Sequence, residues 1–354
     1  MPSRKLKLAL AANTALANKG RLRAALFFLG SALIVIPFEP PMPQLNSPLP
    51  PGSMLQRYRI AKTISIGGFS IVYLAHGEDG LAHAIKEFMP SSLLLRSSGS
   101  RAAPQNAEDQ RRLDSGMRLF FSEAEALSHI DSPSIVKISD FFLENNTAYL
   151  AMPFEHGQTL GKLIRSSGGH LSDATLQGAA LGILGGLRAL HQRGILHLDL
   201  KPSNIWIRAG GEALIIDFGT SLIGKATARH RLAAITPGFA APEQHPKTFD
   251  LSLISPQTDL YNLGATLFSC IEGKPPQQAP ERLVSDKMPI LASRWAGQYG
   301  RPLLAEIDAM LMLNPTLRPL SAKSALDTIS RYAPASANGF FENFCHAAFV
   351  KNLF

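Results

Sequence analysis

The sequence predicts an α+β, bilobal fold, in which a small antiparallel β lobe with one main helix precedes a larger, mostly helical lobe. Three observations predict it. Over residues 58–88 apolar and polar residues alternate with period two across two glycine-containing turns, the signature of half-buried antiparallel strands. Over residues 172–192 apolar side chains recur at Leu176, Ala180, Ile183, Leu184, Leu187 and Leu190, the 3.6-residue stripe of a core helix. Over residues 195–219 a short apolar strand, a Gly210-Gly211 turn and a second strand form a hairpin with polar groups at both ends.

A chain of 354 residues, 45% of them hydrophobic, is long enough to bury a full core. We expect a basic and apolar N-terminal segment (1–37), a Pro-rich linker (38–57), one folded domain (58–332, small lobe 58–155 and large lobe 156–332) and a C-terminal tail (333–354). Cys270 and Cys345 lie far apart and beside no His/Cys cluster, so neither a disulfide framework nor a zinc site is indicated. The formal charge is +8, but residues 1–53 hold six basic side chains (Arg4, Lys5, Lys7, Lys19, Arg21, Arg23) against one acid, Glu39. The excess therefore speaks for a membrane surface or an anionic partner at the tail, and no nucleic-acid partner is expected of the folded body. Residues 24–38 form an uncharged apolar run that as a helix reaches only about 22 Å, short of a ~30 Å hydrocarbon core. Three readings of it stay open: an interfacial or marginal membrane anchor, an export-like segment, or an extension without a membrane role, a reading that includes translation starting near Met54.

In chain order, strands are expected at 58–66, 71–76 and 81–88, with turns at Gly67-Gly68 and Glu78-Asp79-Gly80. Residues 90–117, rich in Ser, Gly and Arg, read as a long loop with a candidate regulatory role. An amphipathic helix follows at 119–130 with Phe120, Ala124 and Leu127 on one face, then strands at 136–143 and 147–153. After the helix at 172–192, the 195–219 hairpin brings together His197, Asp199, Lys201, Asn204 and Asp217. That arrangement suits magnesium-assisted phosphoryl transfer, because two oxygen ligands must hold the metal while a third carboxylate faces the attacking hydroxyl. Asp199 is the candidate base, and Asn204 and Asp217 are the candidate metal ligands.

The stretch resembles the catalytic and magnesium-binding loops of eukaryotic-like serine/threonine protein kinases, HRDLKxxN followed by DFG, with Leu198 where the family usually has Arg. Other segments are similar in family order, and their spelling looks most like bacterial members. Residues 64–73 resemble the glycine-rich loop, with Ser65 and Ser70 replacing two of its glycines; Ala84-Ile85-Lys86 resembles AIK; Ala241-Pro242-Glu243 is an intact APE. The resemblance implies ATP and Mg²⁺ as cofactors and protein Ser/Thr side chains as substrates. It implies nucleotide contacts from Ile64, Gly67, Gly68, Val72, Ala84, Lys86, Met152, Pro153, Glu155, Asn204 and Asp217. It also implies catalytic roles for Asp199 and Lys201, with Glu123, not Glu125, meeting Lys86. Glu243 is expected to pair with Arg318, and Asp259 to accept from the catalytic-loop backbone. Because Arg at position 198 would clamp an activation-loop phosphate, Leu198 implies activity that does not require phosphorylation at Thr227. An ATP-consuming enzyme is expected in the cytoplasm, with residues 24–38 a candidate contact with the inner face of the membrane. The alternative is a pseudokinase that keeps the fold as a binding or scaffold module.

Overall fold

The structure is a computed structural model in which the described residues are 24–29, 32–37, 47–96, 99–104, 106–218, 222–223, 235–246, 248 and 250–331. The apolar N-terminal run does not form the helix considered above: β1 (Ala24–Leu29) and β2 (Ala32–Pro37) pair as an antiparallel hairpin. Phe27, Phe28, Ile34, Val35 and Ile36 favour strand, and Gly30-Ser31 separates the two halves. Among the described residues no helix is long and apolar enough to cross a membrane. The tail beyond residue 331, with Cys345, lies outside the described residues.

The small lobe is a six-stranded antiparallel sheet made by β3 (Met54–Leu55), β4 (Tyr58–Ile66), β5 (Ser70–His76), β6 (Ala82–Phe88), β9 (Asp140–Glu144) and β10 (Thr147–Pro153), in the order β3-β4-β5-β6-β10-β9. Pairing sets the two faces. Val72 and Leu150 lie opposite Lys86, and Met152 opposite Ala84, so Val72, Ala84, Lys86, Leu150 and Met152 share one face. Tyr73, Glu87 and Tyr149 belong to the other, which carries a second core with Leu49, Leu55, Ile71, Ile85, Met89, Leu94 and Leu113. At its centre the Glu87 carboxylate pairs with the Arg96 guanidinium and accepts from Tyr73 Oη at 2.7 Å and Tyr149 Oη at 2.6 Å. A buried ion pair so fully hydrogen-bonded is retained at little net cost, whereas removing one partner would strand a charge.

That second core moves two expected boundaries. Residues 47–57 are not linker: Leu49 is buried, its N–H donates to Tyr73 Oη at 3.1 Å, and Arg96 Nη1 donates to the Ser47 carbonyl at 3.3 Å. Proline bars this strap from helix and ladder, yet an extended chain can still lay apolar side chains on a sheet. A chain beginning at Met54 loses this cover, so it should be less stable than one beginning at Ser47 by about 3 kcal/mol, read from urea unfolding of the two. Nor are residues 90–117 one loop. Short strands β7 (Leu94–Leu95) and β8 (Ala103–Pro104) pair on the sheet's outer face, and α1 runs over Ala107–Ser128 rather than 119–130. Asn106 caps α1 by accepting from Asp109 N at 2.9 Å, with Glu108 and Asp109 in its first turn. The polar run Glu108-Asp109-Gln110-Arg111-Arg112 masks its first turns, where Leu113 alone is buried as an apolar side chain. Strand β9 starts at Asp140, not 136, because Val136 N donates to the Ile215 carbonyl (3.0 Å) and Ile215 N to the Ser134 carbonyl (2.8 Å), tying this segment to the large lobe.

The large lobe contains α2 (Leu160–Ser166), α3 (Asp173–Gln192), α4 (Pro256–Glu272), α5 (Ala279–Val284), α6 (Leu291–Arg294), α7 (Arg301–Met310) and α8 (Ala322–Ser330). Helix α4 is buried along almost its whole length, as its mainly apolar sequence requires. Helix α3 packs against the hairpin formed by β13 (Ile205–Arg208) and β14 (Ala213–Ile215). Gly186 permits this approach, since a Cβ there would collide with Ile215 and the Ser134 carbonyl. Strand β11 (Gly157–Thr159) extends that hairpin, and β12 (Ile195–Leu196) pairs with β15 (Leu222–Ile223).

Candidate active site

Helix α3 ends at Gly194 in the left-handed region and hands the chain to β12 and the loop that follows. Asp259, from the first turn of α4, is fully buried and holds this loop from beneath. Its carboxylate accepts from His197 N (2.9 Å), Leu198 N (2.7 Å) and His191 Nε2 (2.8 Å). Burial pushes the His197 imidazole below its usual range, and its ring packs at 5.0 Å from Phe218. Leu198 adopts φ 63°, a left-handed conformation that costs a non-glycine residue roughly 1–2 kcal/mol.

Beyond this turn three polar side chains converge on Asp199. Lys201 Nζ donates to Asp199 Oδ2 at 2.6 Å, Thr236 Oγ1 to Asp199 Oδ1 at 2.8 Å, and Asn204 Nδ2 to Asp199 Oδ2 at 3.1 Å and to its carbonyl at 2.9 Å. Lys201 Nζ also donates to Thr236 Oγ1 at 2.9 Å, so the segment before the APE triplet is bound to the loop. Asn204 immediately precedes, and Asp217 follows, the β13–β14 hairpin, and Ile216 N donates to the Asn204 carbonyl at 3.1 Å, which keeps the two ends together.

From the small lobe, Lys86 Nζ reaches across to Asp217 Oδ1 at 2.6 Å. Burial works against the Lys86 charge, but Asp217 and then Glu123 outweigh it and hold the ammonium above its usual range. Glu123, buried on α1, is the second carboxylate whose charge supports Lys86, and Lys86 Nζ hydrogen-bonds Asp217. Val72, Ala84 and Met152 share the Lys86 face, and Pro153 closes β10 beside them. Glu155 follows; its carboxylate takes a two-pronged contact from Arg208 (3.1 and 2.9 Å), and Arg208 Nη1 donates to the Pro133 carbonyl at 2.8 Å. In the β4–β5 turn Gly67 N donates to the Ser70 carbonyl (2.8 Å) and the Gly68 carbonyl accepts from Ser91 N (2.9 Å), leaving Phe69 exposed at its tip and Ile64 exposed on β4. Ser65 and Ser70 both sit within paired strand.

The donor set suits a hard divalent cation. Asn204 and Asp217 offer amide and carboxylate oxygen, and among the described residues no group of three or more His, Cys, Asp or Glu could hold a metal. Two supports were not singled out from the sequence. His191 joins Asp259, and Gln244, directly after the APE triplet, donates to the Leu198 carbonyl at 2.7 Å. Their only signal was proximity to motif residues, because a hydrogen bond between segments far apart in sequence leaves no periodicity.

Similarity to known proteins agrees with this geometry. The family model for the protein kinase domain matches residues 58–328. Serine/threonine-protein kinase C of Synechocystis sp. is 31% identical over 77% of this chain and 49% of its own length. Serine/threonine-protein kinase PknA of Nostoc sp. is 27% identical over 77% of this chain and 47% of its own. The chain thus spans about half the length of these curated relatives. The solved structure of PpkA-294 in its apo form superposes with a TM-score of 0.71 at 29% identity, covering 80% of this chain and 99% of that one. With a six-stranded small lobe, a helical large lobe and a family match over most of its length, the chain belongs to the protein kinase domain family.

Proposed function

We propose that this chain is a serine/threonine protein kinase that transfers the γ-phosphoryl group of ATP to Ser or Thr of protein substrates. The observation that carries the reading is the 2.6 Å contact between Lys86 and Asp217, which joins the small lobe to the hairpin holding Asn204, beside Asp199 and Lys201. In this reading Lys86, held by Asp217 and Glu123, engages the α/β-phosphates, and Lys201 neutralises the transferring phosphoryl. Asp199 orients the substrate hydroxyl and accepts its proton. Its carboxylate, held by Lys201, Thr236 and Asn204, has little freedom to turn away. Asn204 and Asp217 would hold Mg²⁺, which supplies charge neutralisation between the phosphates. Ile64, Val72, Ala84 and Met152 line the nucleotide side of the small sheet, Gly67 and Gly68 cover the phosphates, and the Pro153 carbonyl and Glu155 N–H meet the base. The cytoplasm, where ATP is, is the proposed location, with residues 24–38 a candidate contact with the inner face of the membrane.

Incubating the purified chain with γ-labelled ATP, Mg²⁺ and a mixed protein substrate tests the reading. Label should appear on phosphoserine and phosphothreonine after acid hydrolysis. Label on no protein from an ADP-binding preparation would favour the pseudokinase, and label on a small molecule alone would point to a different substrate class. Thr227 lies outside the described residues, and because Leu198 offers no guanidinium to a phosphate, Thr227→Ala should keep activity within about twofold in the same assay.

A further inference from the structure

Residue 198 immediately precedes Asp199, so the direction in which Asp199 presents its carboxylate depends on how the backbone is held at 198. Leucine at φ 63° has no intrinsic preference for that conformation, and three restraints hold it there. Its N–H donates to Asp259 Oδ1 at 2.7 Å, and its carbonyl accepts from Gln244 Nε2 at 2.7 Å. Its side chain is buried against Leu196, Leu251 and Ile254. Gln244 is itself fixed: it is 2% exposed, and its Oε1 accepts from Ala241 N at 2.9 Å and from Asn262 Nδ2 at 2.8 Å. Asn262 Nδ2 is anchored in turn on the Phe239 carbonyl at 2.8 Å. Two N–H groups aimed at one end of the amide decide its orientation, so the end facing Leu198 is the donor.

We infer that Gln244 is a positioning residue for Asp199, clamping the strained backbone of residue 198 from the carbonyl side while Asp259 clamps it from the N–H side. This deepens the kinase reading and rests on it. The brace is neutral and built into the fold: an amide and an apolar plug of leucine and isoleucine occupy the place where an arginine would answer to a phosphate. Order in the loop then depends on the packing of the APE segment against α4, through Asn262, and not on a covalent modification. Losing the amide donor leaves the Leu198 carbonyl buried without its partner and lets residue 198 relax, turning Asp199 away from the attacking hydroxyl.

The test compares Gln244→Met, similar in length and volume but without the amide that donates to Leu198 and accepts from Ala241 and Asn262, with Thr258→Val. The latter removes the 2.8 Å bond from Thr258 Oγ1 to Glu243 Oε1 and the 3.2 Å bond that Thr258 Oγ1 accepts from Ser255 N at the start of α4, and Thr258 makes neither of the two hydrogen bonds to residue 198. Rates are normalised to ADP-binding sites, so that unfolded protein does not count. In Gln244→Met kcat should fall about tenfold or more with KM for ATP within about twofold, since the reacting carboxylate is misplaced and the nucleotide site is not. Thr258→Val should melt at a lower temperature and keep kcat within about twofold. If Gln244→Met does not give folded protein, Gln244→Asn, whose shorter amide withdraws from the Leu198 carbonyl, carries the same expectation. A Gln244 variant with kcat within twofold of wild type overturns the inference, as does an equal loss of kcat in Thr258→Val. Wild type and Asp199→Asn equally unable to label protein would instead overturn the kinase reading.

Discussion

Asp199→Asn should reduce kcat by about 10³-fold while leaving KM for ATP within about twofold. The substituted amide is the same size and can still accept from Thr236 Oγ1, which lies 2.8 Å from Asp199 Oδ1, so the loop has no steric reason to rearrange. What disappears is the negative charge that binds Lys201 Nζ at 2.6 Å and the basic oxygen that receives the hydroxyl proton. Both losses fall in the transition state rather than on nucleotide binding, hence the expected split between kcat and KM. Steady-state kinetics on ADP-titrated protein read it, and a parallel rise in KM would move Asp199 into nucleotide binding.

Arg318→Met should destabilise the large lobe by roughly 3–5 kcal/mol, lowering the melting temperature by about 10 °C. Glu243 and Arg318 form a two-pronged pair at 2.6 and 3.0 Å, with both side chains almost wholly buried. The remaining N–H groups of Arg318 go to the carbonyls of Met312, Gln257 and Leu313, and its guanidinium lies 5.0 Å from the Tyr261 ring centroid. Removing the arginine alone strands the Glu243 carboxylate in a buried site, where among the described residues Thr258 Oγ1 is its remaining side-chain donor. Replacing both partners by methionine should therefore cost less than Arg318→Met alone, a sign that separates stranded charge from lost packing. Calorimetry on the single and double variants reads the difference.

The sequence made the chemistry more legible than the architecture around it. Lys86, Asp199, Asn204 and Asp217 lie in short motifs whose offsets are fixed by strand and turn geometry, and the structure brings them together. The strap over residues 47–57 was hidden because proline density signals the absence of helix and sheet, not the absence of burial. The true start of α1 was hidden by its charged first turns, although the Asn106 cap and the acids after it were there to be read. Gln244 and His191 leave no signal of their own in the sequence because their contacts cross 46 and 68 positions of chain and follow no period. The N-terminal run failed for a different reason: its apolar composition fits either a short helix or a hairpin, and only the Gly30-Ser31 break argued for the second.

Whether Lys86 and Asp217 serve one nucleotide can be read from calorimetric titration of Mg·ATP into wild type, Lys86→Met, Asp217→Asn and the double variant. A single site is expected, weakened in each single variant, with the double variant losing clearly less than the two losses combined, because the residues, 2.6 Å from each other, act on one triphosphate. Fully additive losses, or Mg·ATP binding unchanged by either substitution, would contradict it.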